Sequence, residues 1–408
     1  MSTMCAFWEE VRTPEVIATV QRTLDLLLSP SRSSTSSGTI SGAGGLSSSE
    51  SSSGAGFKGA IPVSLRRAQI SSKLKKEPYF VSEKVDGVRY LLLLTKIEDE
   101  PVAFFVNRRG AVYQTQIAAD LSYFDNTVFD GELAPESFAP GQIRYVFWVF
   151  DLVVMQGSSL LQHPFLTRYA TYSRLLEDSP PTEVDRSERE AQAISAHSLT
   201  FTSDLIMFRP KPFYNLERLP QLLEDLDRRI YGTDGLIFMP VNALLQAGTQ
   251  WDQFKWKSAH TLDLMVRFQP QGDDRFPVVS LEYRTNLDGL KFTSCILERG
   301  VMMNEEAYTG ARRMPAEPRW LKPVLDDHAL FFPRLFEAGR KEELAPSEIS
   351  GIVECLLWLE HGQVMLKPLH TRSDKSESNN DYVCQQTVLN VLEDIRPGEL
   401  IQALCCGV

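Results

Sequence analysis

The sequence predicts an α+β protein that has mixed antiparallel sheets with flanking helices, followed by a small β-barrel. Two patterns in the chain predict this class. Between residues 57 and 263, short apolar runs typical of strands are separated by turns and by a few helical stretches. Beyond Leu262 the chain changes to short strands between glycine turns, a pattern that suits a small barrel. The 408 residues are enough for two or three domains with a large core.

The N-terminal segment, residues 1–30, is predicted to contain a helix. Pro14 and Glu15 follow a threonine that suits the N-cap, and proline and an acidic residue are favoured in the first turn. Apolar residues then recur at helical spacing to about Leu28. Residues 31–56 contain twelve Ser and six Gly, so we predict a flexible linker there, because the segment lacks the apolar side chains that a core needs.

The rest of the chain divides into three predicted segments. Residues 57–263 form the sheet-rich domain, residues 264–380 form the barrel, and residues 381–408 form a C-terminal helix that packs back on the sheet-rich domain. Leu216–Ile230 is predicted to be helical, and Glu177–Ser198 is predicted to be a surface excursion. The predicted strands are the runs Tyr90–Leu94, Val102–Val106, Tyr145–Phe150, Leu236–Met239, Val278–Arg284, Leu290–Glu298, Ile352–Leu359 and Gln363–Pro368.

The overall charge excludes a protein that coats nucleic acid through bulk charge. The chain has 42 Lys and Arg against 53 Asp and Glu, which gives a net charge of −11. One stretch departs from this balance, because Phe57–Lys76 contains no acidic residue. A solvated basic face and a groove for a polyanion such as RNA both explain such a run. Its basic residues are Lys58, Arg66, Arg67, Lys73, Lys75 and Lys76.

Apolar runs and cysteines indicate the compartment. The longest apolar run, Tyr145–Met155, is too short to span a bilayer and contains Asp151. Six cysteines are scattered without a CxxC pair, so the sequence indicates neither a zinc site nor a disulfide framework. We predict a protein without a membrane span that works in a reducing, intracellular compartment.

The first cluster with chemical potential is the heptapeptide EKVDGVR, which stands directly before an apolar run. It contains Lys84 just before the turn Asp86-Gly87, and Arg89 just after that turn. A lysine at the mouth of a strand with a neighbouring cation has the setting of a nucleophilic amine. A charged β-turn without chemical function is the alternative interpretation.

Three further clusters supply carboxylates at the ends of predicted strands. FDGEL contains Asp130 and Glu132, and TDGLIF contains Asp234. Such carboxylates suit a ribose hydroxyl or a hard divalent metal, and acidic turns are the alternative. Asp151 closes a buried strand. For Trp148 in that strand, packing in the core is favoured over contact with a purine base.

The last cluster supplies cations that suit phosphate. In FKWK, Lys255 and Lys257 fall on the same side of a strand, because side chains alternate with a period of two. Asp263 follows six residues after the second lysine. Lys211, in RPKPF, is a further candidate for contact with phosphate or sugar.

Taken in order, these clusters resemble the nucleotidyltransferase motifs of mRNA capping enzymes, the GTP:RNA guanylyltransferases. They belong to a covalent superfamily that also contains the ATP-dependent DNA and RNA ligases. FKGAIPVSLRR resembles the family's approach segment, with Lys58 in place of proline, and NRRG with Arg108 resembles its arginine-bearing turn. RSDKSESN resembles the guanylyltransferase box RxDKxxPN, with Ser378 in place of proline. The resemblance covers residues 57–263 closely and 363–396 in part, and implies a nucleotidyltransferase domain followed by an OB-fold.

The resemblance implies a role for each matching residue. Lys84 is implied as the nucleophile that attacks GTP and forms a covalent lysyl-N-GMP intermediate. Asp234 and Glu132 are implied to hold Mg2+ or Mn2+, and Glu132 also to contact the ribose. The other nucleotide-binding residues that the resemblance implies are Arg89, Arg108, Lys255, Lys257, Asp263, Arg372, Asp374 and Lys375. Those from the barrel domain are implied to reach the β- and γ-phosphates when the domains close.

The function that the resemblance implies is mRNA guanylyltransferase, which transfers GMP from GTP to the 5′-diphosphate end of nascent mRNA and forms the GpppN cap. It implies a nuclear protein, a separate RNA 5′-triphosphatase and docking on the phosphorylated C-terminal tail of RNA polymerase II. Two alternatives stay open. One is an ATP-dependent RNA or DNA ligase of the same superfamily, and the other is a non-catalytic relative that binds RNA or the polymerase.

Overall fold

A computed structural model describes residues 8–28, 59–177, 206–269, 278–285, 291–297, 302–304, 350–360, 363–372 and 375–406. The predicted linker, the predicted surface excursion beyond residue 177 and Asp374 lie outside these ranges. Contacts between Cα atoms divide the chain into two units. The first comprises Met1–Val63 and Lys73–Lys255, and the second comprises Ser64–Ser72 and Trp256–Val408. The predicted domain boundary at residue 263 stays a prediction.

Two sheets form the first unit. Its described strands are β1 (Glu9–Glu10), β2 (Ala60–Ser64), β3 (Tyr79–Val85), β4 (Val88–Ile97), β5 (Glu100–Asn107), β6 (Val112–Thr115), β7 (Thr127–Ala139), β8 (Gln142–Met155), β9 (Ser158–Ser159), β10 (Ile206–Pro210), β11 (Tyr214–Asn215), β12 (Thr233–Pro240) and β13 (Gly248–Trp256). The larger sheet has the order β1-β6-β5-β4-β7-β8-β10, with β9 paired to β8. The smaller sheet has the order β11-β3-β12-β13-β2. The four apolar runs predicted as strands in this part of the chain are confirmed in β4, β5, β8 and β12.

Pairing in the larger sheet is antiparallel except between β10 and β8, which run parallel. In the smaller sheet, β3 pairs antiparallel with both β11 and β12. The predicted class, α+β with mixed antiparallel sheets, is therefore confirmed. The described elements of the chain are thus mainly strands joined by tight turns, with helices added at the faces.

The larger sheet is buried on both faces, and β4 shows how. Leu92 and Leu94 join the core cluster that contains Trp8, while Leu91 and Leu93 join the cluster on the opposite face. Neighbouring residues of a strand point to opposite faces, so a run of leucines requires a cover on each side. Helices α1 (Pro14–Leu28) and α3 (Phe165–Glu177) supply residues to opposite clusters and provide these covers.

The predicted N-terminal helix is confirmed as α1, which buries Val20, Leu24 and Leu28. The helix predicted at Leu216–Ile230 is shorter in the structure. Only α4 (Leu219–Asp225) is α-helical there, and a 3-10 turn precedes and follows it.

The second unit contains a six-stranded sheet among its described residues. Its strands are β14 (His260–Gln269), β15 (Val278–Thr285), β16 (Lys291–Leu297), β17 (Met302–Asn304), β18 (Ser350–Glu360) and β19 (Gln363–Thr371), in the order β16-β15-β14-β18-β19-β17. Every pair is antiparallel, and the strands predicted beyond Leu262 are confirmed. The pairings of the described strands form an open path, so they do not establish a closed OB-fold barrel.

Helices of the second unit are α2 (Arg67–Gln69), α5 (Asp381–Glu393) and α6 (Pro397–Cys405). The sequence predicts one C-terminal helix that breaks at Pro397, but the break comes earlier. Asp394 adopts a left-handed conformation with φ of 42° and ends α5, and Pro397 then opens α6. Proline is compatible with a first helical position because its missing N–H has no intrahelical partner there. Within its unit, α5 contacts β14, β15, β18 and β19, and the predicted packing on the other domain stays a prediction.

Candidate functional site

The first unit encloses a cavity of about 120 Å³. Its wall includes five residues that the sequence analysis names as candidates for nucleotide chemistry: Lys84, Arg89, Arg108, Glu132 and Lys211. β3, β4, β7 and β10 lead into this wall, so residues far apart in sequence converge through the two sheets. The cavity is therefore the place to look for chemistry in this unit.

Lys84 faces a carboxylate that a bulge brings into position. Its Nζ atom lies 2.7 Å from Oδ1 of Asp234. β3 and β12 pair antiparallel, and their register shifts between Thr233 and Leu236, which leaves Asp234 in a β-bulge. Gly235, also in the bulge, has φ of 141°, a conformation that favours glycine. The TDG sequence thus folds into the bulge that holds a carboxylate against the lysine.

Arg89 is a buried cation that protein groups hold in place. Its guanidinium donates to both carboxylate oxygens of Asp130, at 2.8 and 2.5 Å, and to the carbonyl of Ala60 at 2.5 Å. The guanidinium carbon also lies 5.0 Å from the ring centre of Phe150. Burial acts to lower the pKa of Arg89, but Asp130 and Glu132 outweigh it, so the pKa is raised and the charge is retained.

Glu132 lies opposite Arg89 in the ladder between β4 and β7. Burial raises the pKa of Glu132 to about 7, although Lys84, Arg89 and Arg108 lower it. Burial also lowers the pKa of Arg108, and Arg89 lowers it further. The lysine, the two arginines and Glu132 all line the cavity, and charges near one another interact more strongly where water is excluded.

A second buried lysine belongs to the same wall. Lys211 donates from Nζ to Oε2 of Glu83 at 2.9 Å, and Arg229 lies 2.5 Å from the other oxygen of that carboxylate. The ammonium is also 5.5 Å from the ring centre of Trp148 and 5.6 Å from that of Tyr231. Burial lowers the pKa of Lys211, and Glu83 opposes that effect. Glu83 and Lys84 are sequence neighbours on one strand, so β3 links both lysines of the wall.

An ion pair with almost no exposed surface completes the wall. Arg168 donates to both carboxylate oxygens of Asp151 at 2.7 and 2.9 Å, and also to the carbonyls of His163 and Ala243 at 2.5 and 3.0 Å. Burial raises the pKa of Asp151, although Arg168 lowers it. The pair joins α3, β8 and the segment after β12, and thereby fixes three parts of the cavity wall relative to one another.

Other predicted residues meet in the second unit, around Asp263 of β14. Arg372 donates from Nη1 to Oδ1 of Asp263 at 3.1 Å and to Glu354 at 3.0 Å, and Lys375 donates to Oδ2 of Asp263 at 2.5 Å. The backbone N–H of Asp263 donates to the side chain of Asn379 at 2.7 Å. We call these residues the Asp263 cluster. Asp374 lies outside the described residues.

The boundary between the two units falls between the two lysines of the FKWK cluster. Lys255 is partly exposed near the end of β13 in the first unit and is not among the residues that line the cavity. Lys257 belongs to the second unit. Their predicted contacts with a phosphate stay a prediction.

The basic stretch Phe57–Lys76 is largely neutralised where it is described. Three of its cations form ion pairs: Arg66 with Glu393 at 2.7 Å, Arg67 with Glu399 at 2.7 Å and Lys73 with Glu77 at 2.8 Å. Exposed pairs of this kind contribute little to stability but reduce the local positive potential. The pairing favours a solvated charged face over a groove that binds a polyanion.

No group of three or more His, Cys, Asp or Glu residues suitable for a metal ion occurs within the described ranges. A Mg2+ ion in a nucleotide site is commonly held by one or two carboxylates together with the substrate phosphates. Asp234 and Glu132 offer such oxygens near Lys84. The donor set is therefore compatible with a divalent ion that arrives with a nucleotide.

Sequence reasoning missed several residues of the wall. Arg168, Gln250 and Gln253 line the cavity, and none of them stands in a recognisable motif. Trp148 also lines it, although the sequence favours plain core packing for this residue. For Gln253 a signal was present, because it lies two residues before Lys255 on the same face of a strand.

Comparison with known proteins identifies the family of the chain. The sequence profile of the family described as mRNA capping enzyme, catalytic domain, matches residues 19–259. The chain belongs to this family. It is accordingly a nucleotidyltransferase of the mRNA-capping class, and the predicted mRNA guanylyltransferase function is confirmed at the level of the family.

Curated relatives extend the match. The mRNA-capping enzyme subunit alpha of Neurospora crassa is 27% identical over 382 residues, which is 85% of this chain and 84% of that protein. For the subunit of Schizosaccharomyces pombe the identity is 26% over 234 residues, and the match covers 53% of this chain and 56% of that protein. The mRNA-capping enzyme of Mus musculus is 27% identical, and the match covers 54% of this chain and 36% of the mouse protein. The chain thus spans about half or less of the last two relatives.

Solved structures that resemble the chain include a mycobacterial DNA ligase D complexed with ATP and MES. Its sequence identity is 13%, its TM-score is 0.36, and the match covers 78% of this chain and 96% of the ligase chain. The ATP-dependent DNA ligase of bacteriophage T7 in complex with ATP has 12% identity and a TM-score of 0.34, over 77% and 98% of the two chains. TM-scores of this size carry no argument about function. Separately, the described part of the chain has no helix long and apolar enough to cross a membrane.

Proposed function

We propose that this chain transfers GMP from GTP, through a covalent adduct on Lys84, to the 5′-diphosphate end of RNA. The observation that carries the proposal is the position of Lys84, on the wall of the cavity and 2.7 Å from Asp234. Arg89, Arg108 and Lys211 surround it with positive charge. A half-buried amine among cations and a carboxylate suits attack on a nucleotide phosphate.

The proposed first step forms one bond and breaks another. Nζ of Lys84, in its neutral form, attacks the α-phosphorus of GTP, the P–N bond forms, and the α–β bridging P–O bond breaks to release pyrophosphate. As the P–N bond forms, the neutral amine loses one of its N–H protons to Asp234 or to water, and the nitrogen keeps the other proton in the adduct. In the second step, an oxygen of the β-phosphate of the RNA end attacks the adduct, the P–N bond breaks, and Lys84 regains a proton.

Charge neutralisation and alignment are what this chemistry needs from the protein. We propose that Lys255 and Lys257 contact the α-phosphate, and that Arg372, Asp374 and Lys375 act on the β- and γ-phosphates. In the structure, Asp263 holds Arg372 and Lys375, and in the proposal both cations leave it for the phosphates.

Asp234 and Glu132 are the residues that we propose hold Mg2+ or Mn2+, with Glu132 also reaching the ribose. The ion would neutralise phosphate charge when it is bound. Arg89 and Arg108 stand near Glu132 and suit contacts with the sugar or phosphates.

The biological setting is part of the proposal. The family resemblance supports a nuclear enzyme that receives RNA from a separate 5′-triphosphatase and docks on the phosphorylated tail of RNA polymerase II. It also supports an OB-fold for the second unit, of which the six-stranded antiparallel sheet is the part described here.

The test is covalent labelling. The purified chain is incubated with α-labelled GTP or ATP and a divalent metal, and the product is separated under denaturing conditions. We expect label from GTP, a loss of roughly a thousandfold or more in Lys84→Ala, and release of the label by 5′-diphosphate RNA. Lys96→Ala is the matched control, because Lys96 is an exposed lysine paired with Asp125 away from the cavity wall. Label from ATP alone would indicate a ligase, and no label from either nucleotide would indicate a binding module.

A further inference from the structure

Two glutamines of β13 line the cavity and differ in one respect. Gln250 and Gln253 are each 6% exposed, so both are more than nine-tenths buried. Gln250 is fully engaged, because its Oε1 accepts from the backbone of Gln246 at 3.3 Å and its Nε2 donates to Asp252 at 2.6 Å. Oε1 of Gln253 is buried and has no hydrogen-bond partner among the described residues.

A buried acceptor without a partner is costly. Leaving such a group unsatisfied costs about 1–3 kcal/mol, and native proteins contain few of them. Unpaired polar groups that persist inside a cavity point to a ligand that supplies the missing partner. A donor on the ligand, an N–H or O–H, is what Oε1 of Gln253 lacks.

The position of Gln253 on β13 indicates which part of a nucleotide supplies this donor. Gln253 and Lys255 are two residues apart, so they lie on the same face of the strand about 7 Å from each other. Lys255, near the strand end, is the proposed α-phosphate contact. Gln253 lines the cavity, as does Ile237 of the neighbouring strand β12, whereas Lys255 does not line it. Gln253 is thus about two residues deeper along the strand than the proposed phosphate contact, at a distance that suits a group of the nucleotide beyond the phosphate.

The wall also contains donors that have capacity for a ligand, on the side chains of Lys211 and Trp148. Lys211 carries three N–H donors and makes one described hydrogen bond, to Glu83. Nε1 of Trp148 is buried and has no partner within the described ranges. Donors such as these suit O6 and N7 of guanine, and the acceptor on Gln253 then suits the N1–H and 2-amino donors of the same base. Adenine offers an acceptor at N1 and no 2-amino group, so it does not complete this set.

We propose that Gln253 selects guanine, by accepting a hydrogen bond through Oε1 from the N1–H or 2-amino group of the base. This proposal rests on the proposed function, since it names the base contact of the same site. It assigns to Gln253 an acceptor that matters only when the nucleotide is bound. The free protein therefore bears the cost of the unpaired group, and bound GTP removes it.

The experiment compares Gln253→Met with Gln250→Met in the full chain. Methionine keeps the length of glutamine and removes the acceptor. The readouts are the KM for GTP and for 2′-deoxy- and 3′-deoxy-GTP in covalent labelling, the Ki of ATP as a competitor, and the thermal unfolding of the nucleotide-free protein. Ki values for ATP can be measured whether or not ATP is a substrate.

For Gln253→Met we expect a KM for GTP raised about tenfold or more, an unchanged Ki for ATP, and a Tm of the free protein that is unchanged or higher. The rise in KM has the same size for both deoxy nucleotides. For Gln250→Met we expect a lower Tm, because two internal hydrogen bonds are lost, and no change in the preference for GTP over ATP.

The proposal is overturned by any of three results for Gln253→Met: an unchanged KM for GTP, an equal loss for ATP, or a penalty that disappears with a deoxy nucleotide, which would assign the contact to the ribose. If that variant does not fold, Gln253→Glu keeps an acceptor oxygen and must retain the preference for GTP over ATP, and loss of the preference overturns the proposal. Absence of any label in the unmodified chain would instead count against the proposed function.

Discussion

The cavity of the first unit and the Asp263 cluster of the second handle charge in different ways. In the cavity wall, Lys211 and Gln253 keep donors or acceptors that no described protein group uses, and Arg89 is clamped by Asp130 so that its position is set in advance. In the Asp263 cluster, Arg372 and Lys375 both donate to a carboxylate of the protein within 3.1 Å.

The difference teaches which part of the protein is prepared for a ligand. Groups held by buried partners need no rearrangement when a ligand arrives, which is the condition for strong electrostatic stabilisation. The cations of the Asp263 cluster are paired as well, but the side chains of Arg372 and Lys375 are 23% and 32% exposed, so these cations can leave Asp263 for a phosphate. The exchange returns only the difference between two ion pairs. The cavity wall of the first unit is therefore preformed for a ligand, whereas Arg372 and Lys375 of the second unit must change partner to bind a phosphate.

The largest effect on stability is expected from the buried ion pair of the cavity wall. Arg168→Met leaves the carboxylate of Asp151 buried without its partner, and breaking a buried pair from one side costs about 3–5 kcal/mol. The free energy of unfolding, measured in urea by tryptophan fluorescence, should fall by that amount. The cavity should lose its preformed shape at the same time, which labelling with GTP would register as a higher KM.

The control is an arginine in an exposed pair. Arg67→Met breaks the contact with Glu399, in which the side chains are 53% and 35% exposed, and we expect a change below about 1 kcal/mol. Equal losses in the two variants would remove the distinction between a buried and an exposed ion pair.

Much of the cavity could be predicted from the sequence, because its key residues stand in short motifs whose local geometry carries information. The TDG and KVDG turns fix where Asp234 and Lys84 go, and a glycine at position 87 is required because a Cβ there would lie 2.4 Å from the carbonyl oxygen of Leu133. Arg168 could not be predicted in the same way. Its role depends on which strands and helices meet in space, and nothing in the neighbouring sequence specifies Asp151 as its partner.

Two differences in the second unit have equally specific causes. The sequence treats Pro397 as the break of the last helix, but proline fits the first turn of a helix, and Asp394 had already ended the preceding one. Ion pairs from Arg66 and Arg67 to α5 and α6 neutralise a basic stretch that looks unpaired in the sequence. Residues that are distant in the sequence therefore determine both the net charge of a surface and the partner of a buried side chain.

An intermediate effect is expected on the acid stability of the second unit. Burial, assisted by Lys257, lowers the pKa of His260 to about 4, while Asp394 opposes that change. The unfolded chain takes up a proton near pH 6.5, so it binds more protons than the folded chain between pH 6.5 and 4, and stability falls as the pH drops through this window. His260→Gln should recover about 2 kcal/mol of this loss, measured as the difference in unfolding free energy between pH 7 and pH 4.5.

His163→Gln provides the comparison, because His163 is an exposed histidine of the first unit. It should leave the difference between the two pH values unchanged. An acid profile that is the same for His260→Gln and the unmodified chain would show that His260 is protonated in the folded protein without cost.

The smallest effect tests the exchange of partners in the Asp263 cluster. Asp263→Asn keeps the size of the side chain and removes the charge that holds Arg372 and Lys375, whose side chains are 23% and 32% exposed. We expect a loss of roughly 1–2 kcal/mol in unfolding free energy, less than for Arg168→Met, because these cations still reach water.

Asp263→Asn should destabilise the protein, but it should not weaken its binding of GTP. If Arg372 and Lys375 leave Asp263 to bind the β- and γ-phosphates, the variant no longer has to break those contacts, and its KM for GTP should be unchanged or fall by about two- to fivefold. Lys375→Met is the matched variant, since it loses the same contact with Asp263 but also the cation, and its KM for GTP should rise. A rise of similar size in both variants would mean that Asp263 positions these cations for the phosphates instead of competing for them. In that case both sites would be preformed, and they would differ only in how far their charged side chains are exposed to water.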